Sequence, residues 1–131
     1  MAQLQTILYV EDEPDIRAIA ELALETVGGY TLVSCSSGRE ALAAAKSEVP
    51  DLILLDVMMP EMDGPETLRQ LRELKSMAGV PAVFMTAKVQ PSEVAEYLAL
   101  GAVDVIAKPF DPLTLAEQIN KIWLSAKPNT I

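Results

Sequence analysis

The sequence predicts a doubly wound α/β fold, in which a parallel sheet of five strands has helices on both faces. Short runs of β-forming residues alternate five times with segments whose apolar residues recur at helical spacing. The third and fourth runs, DLILL and PAVFM, are almost wholly apolar, as expected of strands that helices cover on both faces. Right-handed crossovers between successive parallel strands then place helices on both sides of the sheet.

The five strands are predicted from β-branched and large apolar residues. They lie at residues 7–10 (ILYV), 30–35 (YTLVSC), 51–55 (DLILL), 81–85 (PAVFM) and 103–107 (VDVIA). Cys35 closes the second run and is the single cysteine, so it has no partner for an internal disulfide. Because a small thiol packs well among apolar side chains, we expect Cys35 to be buried.

The helices are predicted from apolar residues at a spacing of three or four and from their end signals. Buried stripes are expected at Ile16, Ile19, Ala23 and Val27, at Val94, Tyr97, Leu98 and Gly101, and at Leu115, Ile119 and Ile122. Pro14, Pro91 and Pro112 are predicted to open helices, because proline suits a first helical turn. Gly28 and Gly29 indicate the end of a helix.

Length and composition fit one globular domain. Half of the 131 residues are hydrophobic and 22% are charged, which is typical of a folded chain rather than a disordered one. No repeat, low-complexity tract or linker interrupts positions 5–125, and Trp123 is expected in the core. Only the final KPNTI is expected to fray. We therefore predict a single domain over residues 1–131, with its core at about 5–125.

Charge and composition exclude several classes of function. The net charge of −9 would repel nucleic acid and anionic lipid, so we expect no direct nucleic-acid binding. No apolar run is long enough for a membrane span, and MAQLQTILYV lacks the order of a secretion signal, so we expect a cytoplasmic protein without a membrane segment. The absence of histidine excludes histidine metal sites, catalytic triads and a phosphohistidine on this chain.

Polar side chains follow four of the predicted strands. They are Glu11, Asp12 and Glu13 after the first strand, Asp56 after the third, Thr86 after the fourth and Lys108 after the fifth. Ligands of doubly wound sheets bind at the carboxyl ends of the strands. We therefore expect these groups, which lie far apart in sequence, to converge on one edge of the sheet.

The chemistry of these groups indicates a magnesium ion. Asp12 and Asp56, on neighbouring strand ends, would repel each other unless a cation lay between them. Magnesium accepts one or two carboxylates, a carbonyl and several waters, whereas calcium needs more oxygen ligands and softer metals need histidine or cysteine. A carboxylate beside magnesium can attack phosphorus to give an aspartyl phosphate. The Lys108 ammonium and the Thr86 hydroxyl would then contact phosphoryl oxygens.

Each of these residues also has an ordinary structural interpretation. An acidic helix start would explain the carboxylates after the first strand. A turn would explain the aspartate after the third, and Asp63 with Gly64 is predicted to form one. Thr86 could be only a hydroxyl at a strand end, and Lys108 could be only a solvated charge. Their joint occurrence on successive strand ends favours a functional site.

The sequence resembles the receiver domains of two-component response regulators over residues 5–125. The matching motifs are VEDEP after the first strand, DLILLDVMMPEMDG around the third, FMTAK at the fourth and GAVDVIAKPF at the fifth. The resemblance implies a flavodoxin-like fold with strand order 2-1-3-4-5. It also implies four magnesium ligands, with Asp12 and Asp56 binding directly, Glu11 binding directly or through water, and Met58 binding through its backbone carbonyl.

The same resemblance implies how the phosphoryl group is handled. Asp56 matches the phosphoacceptor, Thr86 the switch hydroxyl and Lys108 the lysine of the site, which would precede a cis Lys108–Pro109 peptide bond. Val105 departs from the family, because the residue three before the lysine is usually a Tyr or Phe whose ring turns inward on activation. Activation would therefore involve a smaller or differently placed change.

The resemblance implies a signalling domain rather than an enzyme, although one that assists its own phosphotransfer and autodephosphorylation. The phosphoryl group would come from a phosphohistidine on a sensor histidine kinase or a histidine phosphotransfer protein, or from acetyl phosphate. The surface around the fourth helix, fifth strand and fifth helix would then change and control a downstream protein. A monomer and a phosphorylation-dependent dimer are both compatible with this expectation.

Two other interpretations stay open at this point. A pseudo-receiver would keep the fold as a protein-binding module without ever carrying phosphate. A flavin-binding electron carrier or a phosphatase would use a similar sheet, but those proteins bind phosphate with glycine-rich or hydroxyl-rich loops, whereas EDEPD is acidic. The sequence DVM also lacks the second aspartate that haloacid-dehalogenase-like phosphatases use as their acid.

Overall fold

A parallel sheet of five strands forms the centre of the computed structural model, which describes residues 3–126. The strands are β1 (Thr6–Val10), β2 (Thr31–Cys35), β3 (Leu52–Asp56), β4 (Ala82–Thr86) and β5 (Asp104–Ala107). They lie in the order β2-β1-β3-β4-β5, and every neighbouring pair is parallel. The fold class and the strand order expected from the sequence are confirmed. The expected fraying of KPNTI concerns residues 127–131, outside the described range.

A helix follows each strand. The helices are α1 (Pro14–Glu21), α2 (Gly38–Ala45), α3 (Gly64–Arg72), α4 (Pro91–Ala99) and α5 (Leu115–Ala126), with a π-helical turn (Leu22–Val27) extending α1 and a 3-10 turn (Lys75–Met77) after α3. Within residues 3–126, no helix combines the length and the apolar character needed to cross a bilayer.

Most of the predicted helix ends are confirmed. Pro14 and Pro91 open α1 and α4. The prediction for Pro112 was wrong, because residues 111–114 form a turn in which the Leu115 amide donates to the Asp111 carbonyl, and α5 begins only at Leu115.

Glycine and aspartate mark two further helix boundaries. The π-helical turn after α1 ends at Val27 and is capped by Gly28. Gly29 follows with φ of +76°, a conformation that glycine adopts without steric cost. The turn predicted at Asp63 and Gly64 is instead the start of α3, because the Asp63 carboxylate caps the helix by accepting the Glu66 amide at 2.9 Å.

Helices cover both faces of the sheet and create two apolar cores. One core joins β1, β3 and β4 to α2 and α3, and the other joins the opposite faces of those strands to α1 and α5. All five residues of β3 are buried, which explains its nearly continuous apolar sequence. Cys35 and Trp123 are buried as predicted, one in each core.

Four residues of the predicted buried stripes lie on the surface instead, namely Ile19, Val27, Leu98 and Gly101. Ile19, Val27 and Leu98 are 47%, 55% and 43% exposed. The first two are exposed because α1 and its π-helical turn face the sheet with other residues, namely Ala20, Ala23 and Leu24. Leu98 is exposed because α4 contains no buried residue and touches the core only through side chains such as Tyr97 that are half-buried.

Candidate functional site

The carboxyl ends of four strands meet at one edge of the sheet. Asp56 and Thr86 are the last residues of the adjacent strands β3 and β4, and Asp56 pairs with Met85 in the register. Glu11 follows β1 directly, and Lys108 follows β5 directly. Because all of these strands are parallel, the topology alone places these side chains on the same side of the domain.

Lys108 links two buried carboxylates at this edge. Its Nζ lies 2.8 Å from Oδ1 of Asp56 and 2.7 Å from Oε1 of Glu11. The carboxylate side chains are 4% and 1% exposed, and the lysine side chain is 17% exposed. Ion pairs that water reaches so little are screened only weakly, so the lysine fixes the positions of both acids.

A third carboxylate completes an acidic cluster. One oxygen from each of Glu11, Asp12 and Asp56 lies within 4.8 Å of the others. Asp12 is half-buried, so the cluster opens to solvent on its side. Three carboxylates face the single ammonium of Lys108, which leaves negative charge uncompensated in a largely buried place. A hard divalent cation with oxygen ligands, such as magnesium, fits this donor set.

The pKa values of Glu11 and Lys108 are set by burial and by the contacts of these two residues with their charged neighbours. Burial raises the pKa of Glu11, its hydrogen bond with Lys108 lowers the pKa in part, and the charge of Asp56 raises it again. Burial acts to lower the pKa of Lys108, but the hydrogen bonds with Asp56 and Glu11 outweigh it, so that the pKa of Lys108 is raised overall. Lys108 is therefore a cation at neutral pH.

The loop between β1 and α1 is held by several hydrogen bonds. The Glu11 amide donates to the Cys35 carbonyl at 3.0 Å, and the Glu13 amide donates to Oε2 of Glu11 at 3.2 Å. The Glu13 side chain is exposed and joins neither the acidic cluster nor the helix cap. Nη1 of Arg17 donates to the Glu11 carbonyl at 2.8 Å. This contact of Arg17 was not predicted from the sequence. An arginine in the first turns of a helix that follows an acidic loop would have been a usable signal for it.

Thr86 lies beside the ion pairs without joining them. It is 3% exposed, and its hydroxyl oxygen accepts a hydrogen bond from the Lys88 amide at 3.1 Å. Its carbonyl accepts the Lys108 amide at 2.9 Å, which couples the ends of β4 and β5. In the described part of the chain the Thr86 hydroxyl makes no hydrogen bond with Asp56. The Lys108–Pro109 peptide bond is cis, as the family resemblance implied.

The loop after β3 packs tightly against the backbone of Asp56. The Gly64 amide donates to the Val57 carbonyl at 2.8 Å, and a Cβ at Gly64 would collide with the Asp56 carbonyl oxygen. Glu61 takes a left-handed conformation with φ of 68°, which is uncommon for a residue with a side chain. The Met58 side chain is 68% exposed, and its carbonyl accepts none of the hydrogen bonds found within residues 3–126. Sequence reasoning assigned Gly64 to a turn and missed this close contact.

Comparison with known proteins gives a consistent family. The family model described as the response regulator receiver domain matches residues 7–120. The transcriptional regulatory protein PhoP of alkaline phosphatase synthesis in Bacillus subtilis is 41% identical over 116 residues, which cover 88% of this chain and 47% of PhoP. The chain spans about half the length of this and several other curated relatives that it matches.

Solved structures show the same likeness in three dimensions. The chemotaxis protein CheY4 of Vibrio cholerae superposes with a TM-score of 0.84 at 32% identity, covering 91% of this chain and 98% of CheY4. The receiver domain of the sensor histidine kinase PA1611 of Pseudomonas aeruginosa superposes with a TM-score of 0.80 at 31% identity. The match covers 95% of this chain and 99% of the PA1611 receiver domain. That crystal structure has a magnesium ion coordinated in the active site cleft. With the family model matching 7–120 and these relatives matching both sequence and fold, this chain belongs to the response regulator receiver domains of two-component signalling.

Proposed function

We propose that Asp56 accepts a phosphoryl group from a phosphohistidine on a partner protein, in a reaction that requires magnesium. The observation that supports this best is the contact of 2.8 Å between Nζ of Lys108 and Oδ1 of Asp56, made beside the carboxylates of Glu11 and Asp12. A buried acid held by a cation, next to a cluster that fits a divalent ion, is the arrangement that a phosphoacceptor needs.

The transfer itself needs little from the chain beyond position and charge. A carboxylate oxygen of Asp56 attacks phosphorus, the new P–O bond forms, and the P–N bond of the phosphohistidine breaks. The departing imidazole keeps the electron pair and takes a proton from solvent. When bound by Glu11, Asp12, Asp56 and the Met58 carbonyl, magnesium would neutralise charge on the phosphoryl oxygens.

Lys108 and Thr86 serve the phosphoryl group from the other side. Lys108 is protonated at neutral pH, so its ammonium can move from the Asp56 carboxylate to an oxygen of the phosphoryl group that Asp56 gains. The Thr86 hydroxyl accepts from the Lys88 amide, which leaves its own O–H free to donate to another phosphoryl oxygen. Attack of water on phosphorus in the same site would break the bond to the carboxylate oxygen, release inorganic phosphate and return Asp56 to its free form.

An apolar surface beside the site is suited to a phosphodonor partner. An apolar hollow of about 330 Å³ lies beside Lys108 and is lined mainly by Ile16, Ile19, Ala87, Pro109, Phe110 and Pro112. We assign it to the approach of a sensor histidine kinase or a histidine phosphotransfer protein, because an apolar contact next to the reacting atoms orients two proteins for transfer.

The output surface is assigned to α4, β5 and α5. No side chain of α4 is buried, so this helix can shift without uncovering much apolar surface. Val105, in place of the usual aromatic, is half-buried in β5 and pairs with Phe84 of β4. A displacement of α4, rather than the turning of a ring on β5, would then report the state of Asp56 to a downstream protein.

Mass spectrometry tests the proposal directly. Incubation with magnesium and acetyl phosphate should add one phosphoryl group to the wild type and none to Asp56→Asn. Asp15→Asn, which removes an exposed carboxylate of α1, is the matched control and should gain the group like the wild type. If the wild type gained no phosphoryl group from either acetyl phosphate or a phosphohistidine protein, the result would point to a pseudo-receiver that only binds proteins.

A further inference from the structure

Arg17 binds the backbone of the loop that contains Glu11 and Asp12. Its Nη1 donates to the Glu11 carbonyl at 2.8 Å and approaches the Asp12 carbonyl at 3.5 Å. Side chains of a helix lean towards its N-terminus, so a residue four positions into α1 naturally reaches the loop before it. The guanidinium thus contacts the peptide groups on both sides of Asp12.

Asp12 depends on its backbone for its position. Its side chain is half-exposed, and within residues 3–126 its carboxylate receives no hydrogen bond and forms no ion pair. Glu11 is different, because Lys108 and the Glu13 amide hold its carboxylate directly. The direction of the Asp12 carboxylate therefore follows from the peptide planes that Arg17 contacts.

The position of Arg17 is unfavourable for the helix that contains it. The N-terminus of a helix has a partial positive charge, so a cation that turns back towards it weakens the helix. Within residues 3–126 Arg17 forms no close ion pair, and its attraction to Glu40 acts over a longer distance. Its contribution lies in the loop, where a charged donor makes a stronger hydrogen bond to a carbonyl than a neutral one does.

We propose that Arg17 is a positioning residue for the magnesium site, which it serves by orienting Asp12 through the backbone. The inference rests on the proposed function, since it concerns the same metal site. Outer partners of metal ligands typically account for about 10–100-fold in metal affinity. Arg17→Met should therefore weaken magnesium binding about tenfold. Arg17→Lys should weaken it as well, because an ammonium lacks the planar fork of the guanidinium.

Calorimetric titration with magnesium chloride alone tests the proposal without any phosphodonor. The wild type, Arg17→Lys and Arg17→Met are compared with Arg39→Met, which removes the same charge from an exposed position at the start of α2. Arg39→Met should bind magnesium as the wild type does. In a companion assay with acetyl phosphate, Arg17→Lys should need about ten times more magnesium for half-maximal phosphorylation and reach the same plateau rate.

The outcomes separate this inference from the proposed function. A wild type that binds no magnesium would overturn both. A wild type that binds magnesium, with Arg17→Lys equal to it, would overturn only the role of Arg17. Tighter binding by Arg17→Met would show that the positive charge repels the metal more than the loop contact helps, and would also overturn it. Thermal melts without magnesium identify folded variants, and Arg17→Lys decides the question if Arg17→Met does not fold.

Discussion

Nζ of Lys108 lies 2.8 Å from Oδ1 of Asp56, although 52 positions separate the two residues in sequence. The contact closes the gap between the ends of β3 and β5, which are not neighbours in the sheet. It brings a cation to a buried acid that would otherwise face two further carboxylates, those of Glu11 and Asp12. The contact therefore stabilises this edge, and in the proposed function it also keeps a cation beside the phosphoacceptor.

Removing the lysine should destabilise this edge of the sheet. Lys108→Met leaves the buried carboxylates of Glu11 and Asp56 without their cation, which should lower the free energy of unfolding by roughly 3 kcal/mol in metal-free buffer at neutral pH. Denaturant titration measures this loss. Added magnesium should restore part of it, because the ion replaces the missing charge. An unchanged stability without metal would contradict the view that Lys108 compensates these acids.

Gly64 should tolerate no side chain. A Cβ there would lie 2.9 Å from the Cα of Val57 and even closer to the Asp56 carbonyl oxygen, so Gly64→Ala should cost about 1–3 kcal/mol and slow phosphorylation by displacing Asp56. Gly79→Ala is the matched control, because nothing lies within 4 Å of a Cβ at that position. Denaturant titration and phosphorylation rates of both variants check the prediction. Equal stability and equal rates for the two variants would refute it.

Tyr97 should be the main anchor of α4. Its ring contacts Phe84 of β4 with 5.4 Å between centroids, while no residue of α4 is buried. Tyr97→Ala should therefore speed amide hydrogen exchange throughout α4 and lower the stability by about 1 kcal/mol or more. Leu98→Ala, at the neighbouring exposed position, should leave the exchange of α4 nearly unchanged. Equal protection of α4 in the two variants would argue against this role.

Cys35 should make the fold sensitive to alkaline pH. Burial, with a smaller effect of Glu40, raises the pKa of the thiol from 9.0 to about 11. A thiol whose pKa is raised by folding favours the folded state fully below pH 9, and this contribution is lost as the pH rises through 11. It amounts to roughly 2–3 kcal/mol at most.

The comparison with Cys35→Ala isolates that effect. The variant should start from a lower stability, because it leaves a small cavity, but its stability should fall less between pH 9 and 11 than that of the wild type. In the folded wild type, the thiol should also react with a disulfide reagent much more slowly than in denaturant. Parallel pH curves for the two proteins would contradict the prediction.

Much of this protein was predictable because the relevant signals are local. Strand periodicity, helix-opening residues such as Pro14 and Pro91, and the glycines after the π-helical turn act within a few residues of chain, so they show the element order directly. The parallel α/β class follows from that order. Polar groups at strand ends then mark one edge of the sheet, because the fold brings all those ends together.

Tertiary structure alone decided which groups touch and which faces are buried. The sequence pattern suggested that Ile19 would face the core, but α1 and its π-helical turn bury Ala20, Ala23 and Leu24 instead, and Ile19 is exposed. The contacts of Lys108 with Glu11 and Asp56 join three separate segments of the chain, and the packing of Gly64 on the Asp56 backbone joins the start of α3 to the end of β3. Such contacts depend on distances set by the packing of the entire sheet and its helices, and no local pattern of residues encodes them.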